Sequence, residues 1–218
     1  FPTRCYSPTY PMVGAPDSHL LYLHIRILKD GLVSSALGRD IQVGHRVKLT
    51  APLGTAFFRQ KHRGRIILVA SGTGFAPMWA IAVAAITENP KREIVFIVVS
   101  RTLQSFYMHQ ALCRLARFPN VKIIPIVSEP QNVSPAIRSG RPTEHMPELT
   151  PNDIVYTCGA PAMTEAIAKM SRAAGAKCHC DPFVSSAQPS ETSGGLMDRL
   201  VGWLDSQRGR PAMFQPAE

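Results

Sequence analysis

The sequence predicts an α/β fold: a doubly wound, parallel, five-stranded sheet preceded by part of an antiparallel β-barrel. Three observations carry this. Four apolar runs rich in β-branched residues recur after residue 65, spaced by segments long enough for helices. The first of them runs into a glycine-rich turn, Ser71-Gly72-Thr73-Gly74-Phe75-Ala76-Pro77. Before Gly64 the rhythm differs, with short runs separated by turn residues.

Taken in order, Leu20 to Leu28 reads as one strand, and Lys29-Asp30-Gly31 as the turn that closes it. Arg46-Val47-Lys48-Leu49-Thr50 alternates polar and apolar residues, as a half-buried antiparallel strand does. Ile66 to Ala70 is a buried parallel strand, and Met78 to Ile86 is an Ala-rich buried helix. Pro77 is comfortable at a first helical position, where its missing N–H has no partner to lose. Glu93 to Val99 is the next strand. Phe106 to Phe118 follows as a helix with Met108, Leu112, Leu115 and Ala116 on one face. Val121 to Val127 is a strand, and the proline-rich stretch from Ser128 to Asn152 is a loop. Asp153 to Thr157 is a strand, and Pro161 to Ala174 a helix closed by Gly175. Alternating βαβ units make the sheet parallel. The chain therefore divides into a barrel part at 1–63, an α/β domain at 64–184 and a tail at 185–218. In that tail 185–195 reads as a linker and 196–204 has helical spacing, packed on its own domain or binding a partner.

Composition excludes several classes. Of 218 residues, 45% are apolar and 18% charged, the balance of a globular protein. The longest apolar run, Ala76 to Ile86, is too short to span a bilayer, so no membrane role is expected. Phe1-Pro2-Thr3-Arg4 is no signal peptide, and without Met it reads as the interior of a longer polypeptide. Five scattered cysteines make no disulfide framework, which points to a reducing, cytoplasmic setting. Cys178-His179-Cys180 lacks the second ligand pair of a structural zinc site, and no iron–sulfur spacing occurs, so no metal is expected on this chain. Residues 1–65 hold ten Lys and Arg against three Asp, which is +7 of the net +9. Such a front end suits an anionic ligand or an acidic partner. Nucleic acid is disfavoured, because no aromatic platform or helix-turn-helix pattern accompanies the charge.

Four motifs carry chemistry. Strand, glycine turn and helix at 66–86 is the unit that sets a phosphate on a helix N-terminus; an ordinary strand-to-helix turn is the alternative. Arg4-Cys5-Tyr6-Ser7 offers a charged fork, a flat aromatic face and a hydroxyl donor. Gly31-Leu32-Val33-Ser34 is a turn whose N–H groups and hydroxyl suit a pyrophosphate. Cys158-Gly159-Ala160-Pro161-Ala162-Met163 lies at a strand end that opens a helix. Ligands of doubly wound sheets sit at the carboxyl ends of the strands, so loops 71–77 and 158–163 are expected to face one crevice. Cys158 as a buried structural thiol and Phe183 as simple core are the plainer alternatives.

In this order and spacing the motifs resemble the ferredoxin–NADP reductase superfamily. With Leu53 to His62 added, they look closest to the reductases of aromatic-ring-hydroxylating dioxygenases. The resemblance covers about residues 4 to 184. It implies an FAD barrel in which Arg4 binds the phosphates, Tyr6 stacks on the flavin and Ser7 bonds near its reactive nitrogen. His24, Ile25 and Arg26 would line the FAD strand, and Gly31, Leu32, Val33 and Ser34 would hold the pyrophosphate. Gly72, Thr73, Gly74, Gly159 and Met163 would belong to the NADH or NADPH site, with Cys158 beside the nicotinamide and Phe183 covering the flavin. Ser7 and Cys158 would be the catalytic pair. It implies a flavin-dependent oxidoreductase passing electrons from NAD(P)H through FAD to a [2Fe-2S] ferredoxin domain or protein and a terminal oxygenase. A stand-alone ferredoxin or flavodoxin reductase and a flavin-free nucleotide-binding scaffold are the alternatives. Relatives place an Asp where Ser105 stands. Here no acid occurs from Ile94 to Ser128, while Ser100 and Arg101 are placed to meet a 2′-phosphate, so NADPH is expected to serve at least as well as NADH.

Overall fold

Pro8–Thr9 (β1) and Tyr22–Leu23 (β2) open a computed structural model that describes residues 2–12, 14, 17, 19–29, 31–129 and 134–184. The expected linker at 185–195 and helix at 196–204 lie outside the described residues. β1 and β2 form a two-stranded antiparallel ladder, with Pro8 opposite Leu23 and Thr9 opposite Tyr22. The strand expected over 20–28 is thus confined to two residues, and 46–50 forms no strand. The cause is lack of pairing: Ile27, Val47 and Leu49 remain exposed, and an alternating pattern makes a strand only where a neighbour covers it.

The sheet that follows obeys the pattern closely. Ile66–Ser71 (β3) leads through a 3-10 turn at Gly72–Gly74 into Phe75–Glu88 (α1). α1 starts at Phe75, so Pro77 is its third residue and still loses only an N–H that has no intrahelical acceptor. Ile94–Ser100 (β4), His109–Leu115 (α2) and Val121–Val127 (β5) come next. Arg138–Ser139 (β6) is a two-residue addition inside the proline-rich loop. Ile154–Gly159 (β7), Pro161–Ala173 (α3) and Lys177–Pro182 (β8) complete the fold.

Strand order is β6-β5-β4-β3-β7-β8, and every pair is parallel. Five strands match expectation, and β6 adds a sixth at the edge. The order reverses between β3 and β7, with Ile66 opposite both Ile94 and Ile154. Successive β3 side chains serve opposite faces. Ile66, Leu68 and Ala70 pack with α1 and α2, around Phe75, Met78, Trp79, Met108 and Leu115. Ile67 and Val69 pack on the other face with Val95, Ile97, Val155 and Ile167 of α3. Burial on both faces is why the run is continuous rather than alternating.

Polar staples fix the amino ends of the strands. Arg65, just before β3, donates from Nε and Nη2 to the two oxygens of Asp153, just before β7, at 3.0 and 2.9 Å. Arg92 is 3% exposed and donates to the His62 and Gly64 carbonyls, tying the loop after α1 to the entry of the sheet. Thr9, buried against α1, donates its hydroxyl to the Ala76 carbonyl at 2.7 Å and docks β1 on the first turn of that helix. No helix among the described residues is long and apolar enough to cross a membrane.

Candidate functional site

Two loops meet at the point where strand order reverses. Gly74 and Cys158 approach so closely that a Cβ on Gly74 would lie 2.3 Å from the Cys158 carbonyl oxygen. Only a glycine permits this contact. Ser71, the last residue of β3, accepts a hydrogen bond from the Ala160 N–H at 2.9 Å and so clamps the second loop onto the first. Gly159 has φ +127°, a conformation a side chain would oppose. α1 and α3 both begin at this crevice, and the first N–H groups of any helix lack intrahelical acceptors. The geometry therefore supplies what an anionic, planar ligand needs: backbone without side chains, and donors facing it.

Beside the crevice, Asp181 of β8 gathers two donors. Ser7 donates its hydroxyl to Oδ2 at 2.8 Å, and the Cys158 thiol donates to the same oxygen at 3.7 Å. Cys158 is fully buried, and that burial, reinforced by the Asp181 carboxylate, pushes its thiol well above the ordinary range. It is thus a neutral donor at neutral pH and not a nucleophile, which removes acyl-transfer chemistry of the Cys–His kind. Phe183 donates its backbone N–H to the Gly159 carbonyl at 2.7 Å and packs against the cluster that holds Cys158.

His24, next after β2, lies 3.3 Å from the Tyr107 hydroxyl through Nδ1, with the rings edge to face. Burial lowers the His24 imidazole, so it is neutral at neutral pH. Burial also lifts Tyr107 to about 12. Tyr107 in turn meets Phe75 edge-on, which joins the 20s segment to the start of α1.

The structure brings together Ser7, Gly72, Thr73, Gly74, Cys158, Gly159 and Phe183. Tyr6 is beside Ser7 and is 37% exposed. Arg4 is exposed and, among the described residues, bonds the neighbouring Thr3 carbonyl. Ile25 is half-buried and Arg26 exposed, both just past β2. Gly31 to Ser34 form a tight turn in which Ser34 Oγ accepts from the Leu28 N–H, while the N–H groups of Leu32 and Val33 have no partner among the described residues. Ser100 ends β4, and Arg101 is exposed just beyond it. Met163 lies elsewhere: it packs on the α3 side of the sheet, in the second core cluster. Asp181 and Tyr107 are site residues that motif reading does not reveal. A carboxylate at the carboxyl end of a strand is the sequence signal for the first; the second has none, since its partners are distant in the chain.

A hollow of about 550 Å³ lined by Arg65, Glu93, Lys122 and His145 lies at the opposite, amino ends of the strands. It shares no residue with the crevice, and ligands of doubly wound sheets bind at the carboxyl ends, so the crevice is the candidate site.

Known proteins bear on this geometry. Residues 68–169 match the oxidoreductase NAD-binding domain family. The chain is 35% identical over 171 residues to the ferredoxin–NAD(P)(+) reductase component of the naphthalene 1,2-dioxygenase/salicylate 5-hydroxylase systems of Ralstonia sp., covering 77% of this chain and 52% of that protein. It is 30% identical to the corresponding naphthalene 1,2-dioxygenase component of Pseudomonas putida, covering 75% and 51%. Among solved structures it superposes on the Amycolatopsis cytochrome P450 reductase with a TM-score of 0.62 at 28% identity, over 76% of this chain and 53% of that one. The chain spans about half the length of the curated relatives it matches.

Proposed function

We propose, from the premise that residues 68–169 are an oxidoreductase NAD-binding domain and that the chain is homologous to reductase components of naphthalene dioxygenase systems, that this protein is the nucleotide-binding end of a flavin-dependent reductase. Its electrons would come from NADH or NADPH, pass through FAD, and leave to a [2Fe-2S] ferredoxin domain or protein that serves a terminal oxygenase. The observation that carries this reading is the glycine-walled crevice with the neutral Cys158 thiol at its edge.

The residues fit both groups. Gly72 is exposed and Thr73 half-buried where a nicotinamide nucleotide would lie, and a Cβ at buried Gly74 would clash with the second loop. The partly exposed ring of Tyr6 would stack on a flavin, and the Gly31 to Ser34 turn would offer N–H groups to a pyrophosphate. When bound, these cofactors supply hydride and electron transfer, and the protein supplies alignment. Asp181 accepts from both Ser7 and Cys158, which fixes the orientation of the two side chains beside the crevice. Phe75 and Tyr107 meet edge to face on the α1 side.

The test uses the complete gene product with FAD supplied. NADH or NADPH is expected to reduce ferricyanide, and flavin-loaded protein that fails to do so overturns the reading. Asp181→Asn exchanges a charged acceptor for a neutral one, worth about 1.5–3 kcal/mol. Its kcat is expected to fall roughly ten- to a hundredfold with KM for the nucleotide little changed. An unaltered kcat would remove Asp181 from the site.

Cofactor choice gives a second expectation. Ser100 ends β4 and Arg101 follows it, where an acid would read a ribose 2′-hydroxyl. NADPH is expected to serve at least as well as NADH, and Arg101→Ala to raise KM for NADPH selectively. A preference for NADH above about a hundredfold that Arg101→Ala leaves unchanged would show that this loop does not read the 2′ position.

A further inference from the structure

We propose that Cys178 and Cys180 form a chelating dithiol for a soft, thiophilic metal or metalloid centre. The two residues alternate with His179 on β8, so both side chains leave the same face of the strand. That face is the one α3 covers: Cys178 packs in the second core cluster, and Cys180 Sγ lies 3.9 Å from the Thr164 carbonyl. The sulfurs are 3.6 Å apart. Both are half-buried, and β8 is an edge of the sheet, so an incoming species reaches them. His179 turns the other way and stacks on Tyr156.

Separation decides what this pair can do. With metal–sulfur bonds of about 2.3 Å, sulfurs 3.6 Å apart subtend about 100° at a bound centre, close to a tetrahedral or pyramidal angle. A disulfide fits badly. Alternate residues of a strand have Cα atoms about 6.6 Å apart and Cβ atoms nearly parallel. A disulfide wants Cβ atoms about 3.8 Å apart, so closing it would bend β8 away from β7. Among the described residues no third His, Cys, Asp or Glu joins the pair, which leaves out a four-ligand zinc site. What fits is a centre that takes two sulfurs and keeps its own remaining ligand, as a monosubstituted trivalent arsenical does. The two thiols lie within hydrogen-bonding reach of each other, so both are presented to one incoming centre. The exchange balances: an R–As=O group gains two As–S bonds and loses its oxygen as water with the two thiol protons. Nothing is oxidised or reduced.

The probe is phenylarsine oxide, added to the reduced protein and followed by excess monothiol. One equivalent is expected to remain bound, two titratable thiols to disappear, and a small dithiol such as 2,3-dimercaptopropanol to release it. Cys178→Ser and Cys180→Ser are each expected to shorten retention by about a hundredfold or more, because the second bond is intramolecular. A Cys5→Ser/Cys113→Ser double variant, which removes the exposed lone thiols, is expected to keep it. Mass mapping of the unmutated protein covers the case of a variant that does not fold: the arsenic is expected on the tryptic peptide that begins at Cys178. Retention unchanged in Cys180→Ser, arsenic mapped to another cysteine, or loss of arsenic to monothiol in the unmutated protein would each overturn the proposal.

Discussion

Gly159→Ala is expected to destabilise the protein by roughly 2–6 kcal/mol. Two costs add. The residue sits at φ +127°, where an L side chain costs about 1–3 kcal/mol. The new Cβ would also lie 2.6 Å from the Ser71 carbonyl and 2.3 Å from its hydroxyl oxygen, an overlap worth about 1–3 kcal/mol. The backbone has little room to relax. Phe183 holds the Gly159 carbonyl, and Ser71 holds the following N–H. Gly72→Ala is the matched control, since Gly72 has φ +54° but no atom within 4 Å of its would-be Cβ. It is expected to cost only about 1–2 kcal/mol, the left-handed backbone alone. Urea unfolding of the two variants decides: equal midpoints would mean that the contact with Ser71 is not the constraint.

Asp153→Ala is expected to cost about 3 kcal/mol. It deletes the acceptor of four hydrogen bonds, two from Arg65 and two from Thr150, and leaves a guanidinium unpaired. Arg65 is partly wet, which keeps the cost at the lower end of the range for breaking buried pairs. Burial works to raise the Asp153 carboxyl, but the hydrogen bonds from Arg65 and Thr150 outweigh it and hold it below its ordinary 3.8. A depressed carboxyl contributes stability that is present above 3.8 and fades as pH falls through the lower folded value. The gap in stability between wild type and Asp153→Ala is therefore expected to hold constant near neutrality and to narrow below pH 3.8. A gap that widens in acid would show that Asp153 is protonated in the folded protein.

What the chain discloses by itself follows from how local each signal is. β5 runs from Val121 to Val127 as its apolar pattern says, and α3 starts at Pro161 and is followed by Gly175 at φ +71°, because cap and breaker act within one turn. The glycine turn at 72–74 is legible for the same reason. β6 is not, since two residues carry no period. The 46–50 segment misleads, because alternation records a propensity and only a neighbouring strand converts it into structure; Val47 and Leu49 are left about two-thirds exposed. Tyr107 is silent in sequence because its partner, His24, is far away along the chain, and Asp181 shows only as a carboxylate at a strand end, its partner Ser7 being equally distant. The side chain of Met163, the third residue of α3, packs on the second core cluster, a placement that depends on the helix and is not written in the motif.

The reversal of strand order also sets a timetable for synthesis. β3 pairs with β4 soon after both have emerged, yet its other edge waits for β7, made much later. Until residue 159 leaves the ribosome, Ile66 to Ser71 presents an apolar strand with unpaired N–H and C=O groups along one side. Nascent chains stalled before residue 154 are therefore expected to bind chaperones or aggregate, and chains stalled well beyond residue 159 to escape.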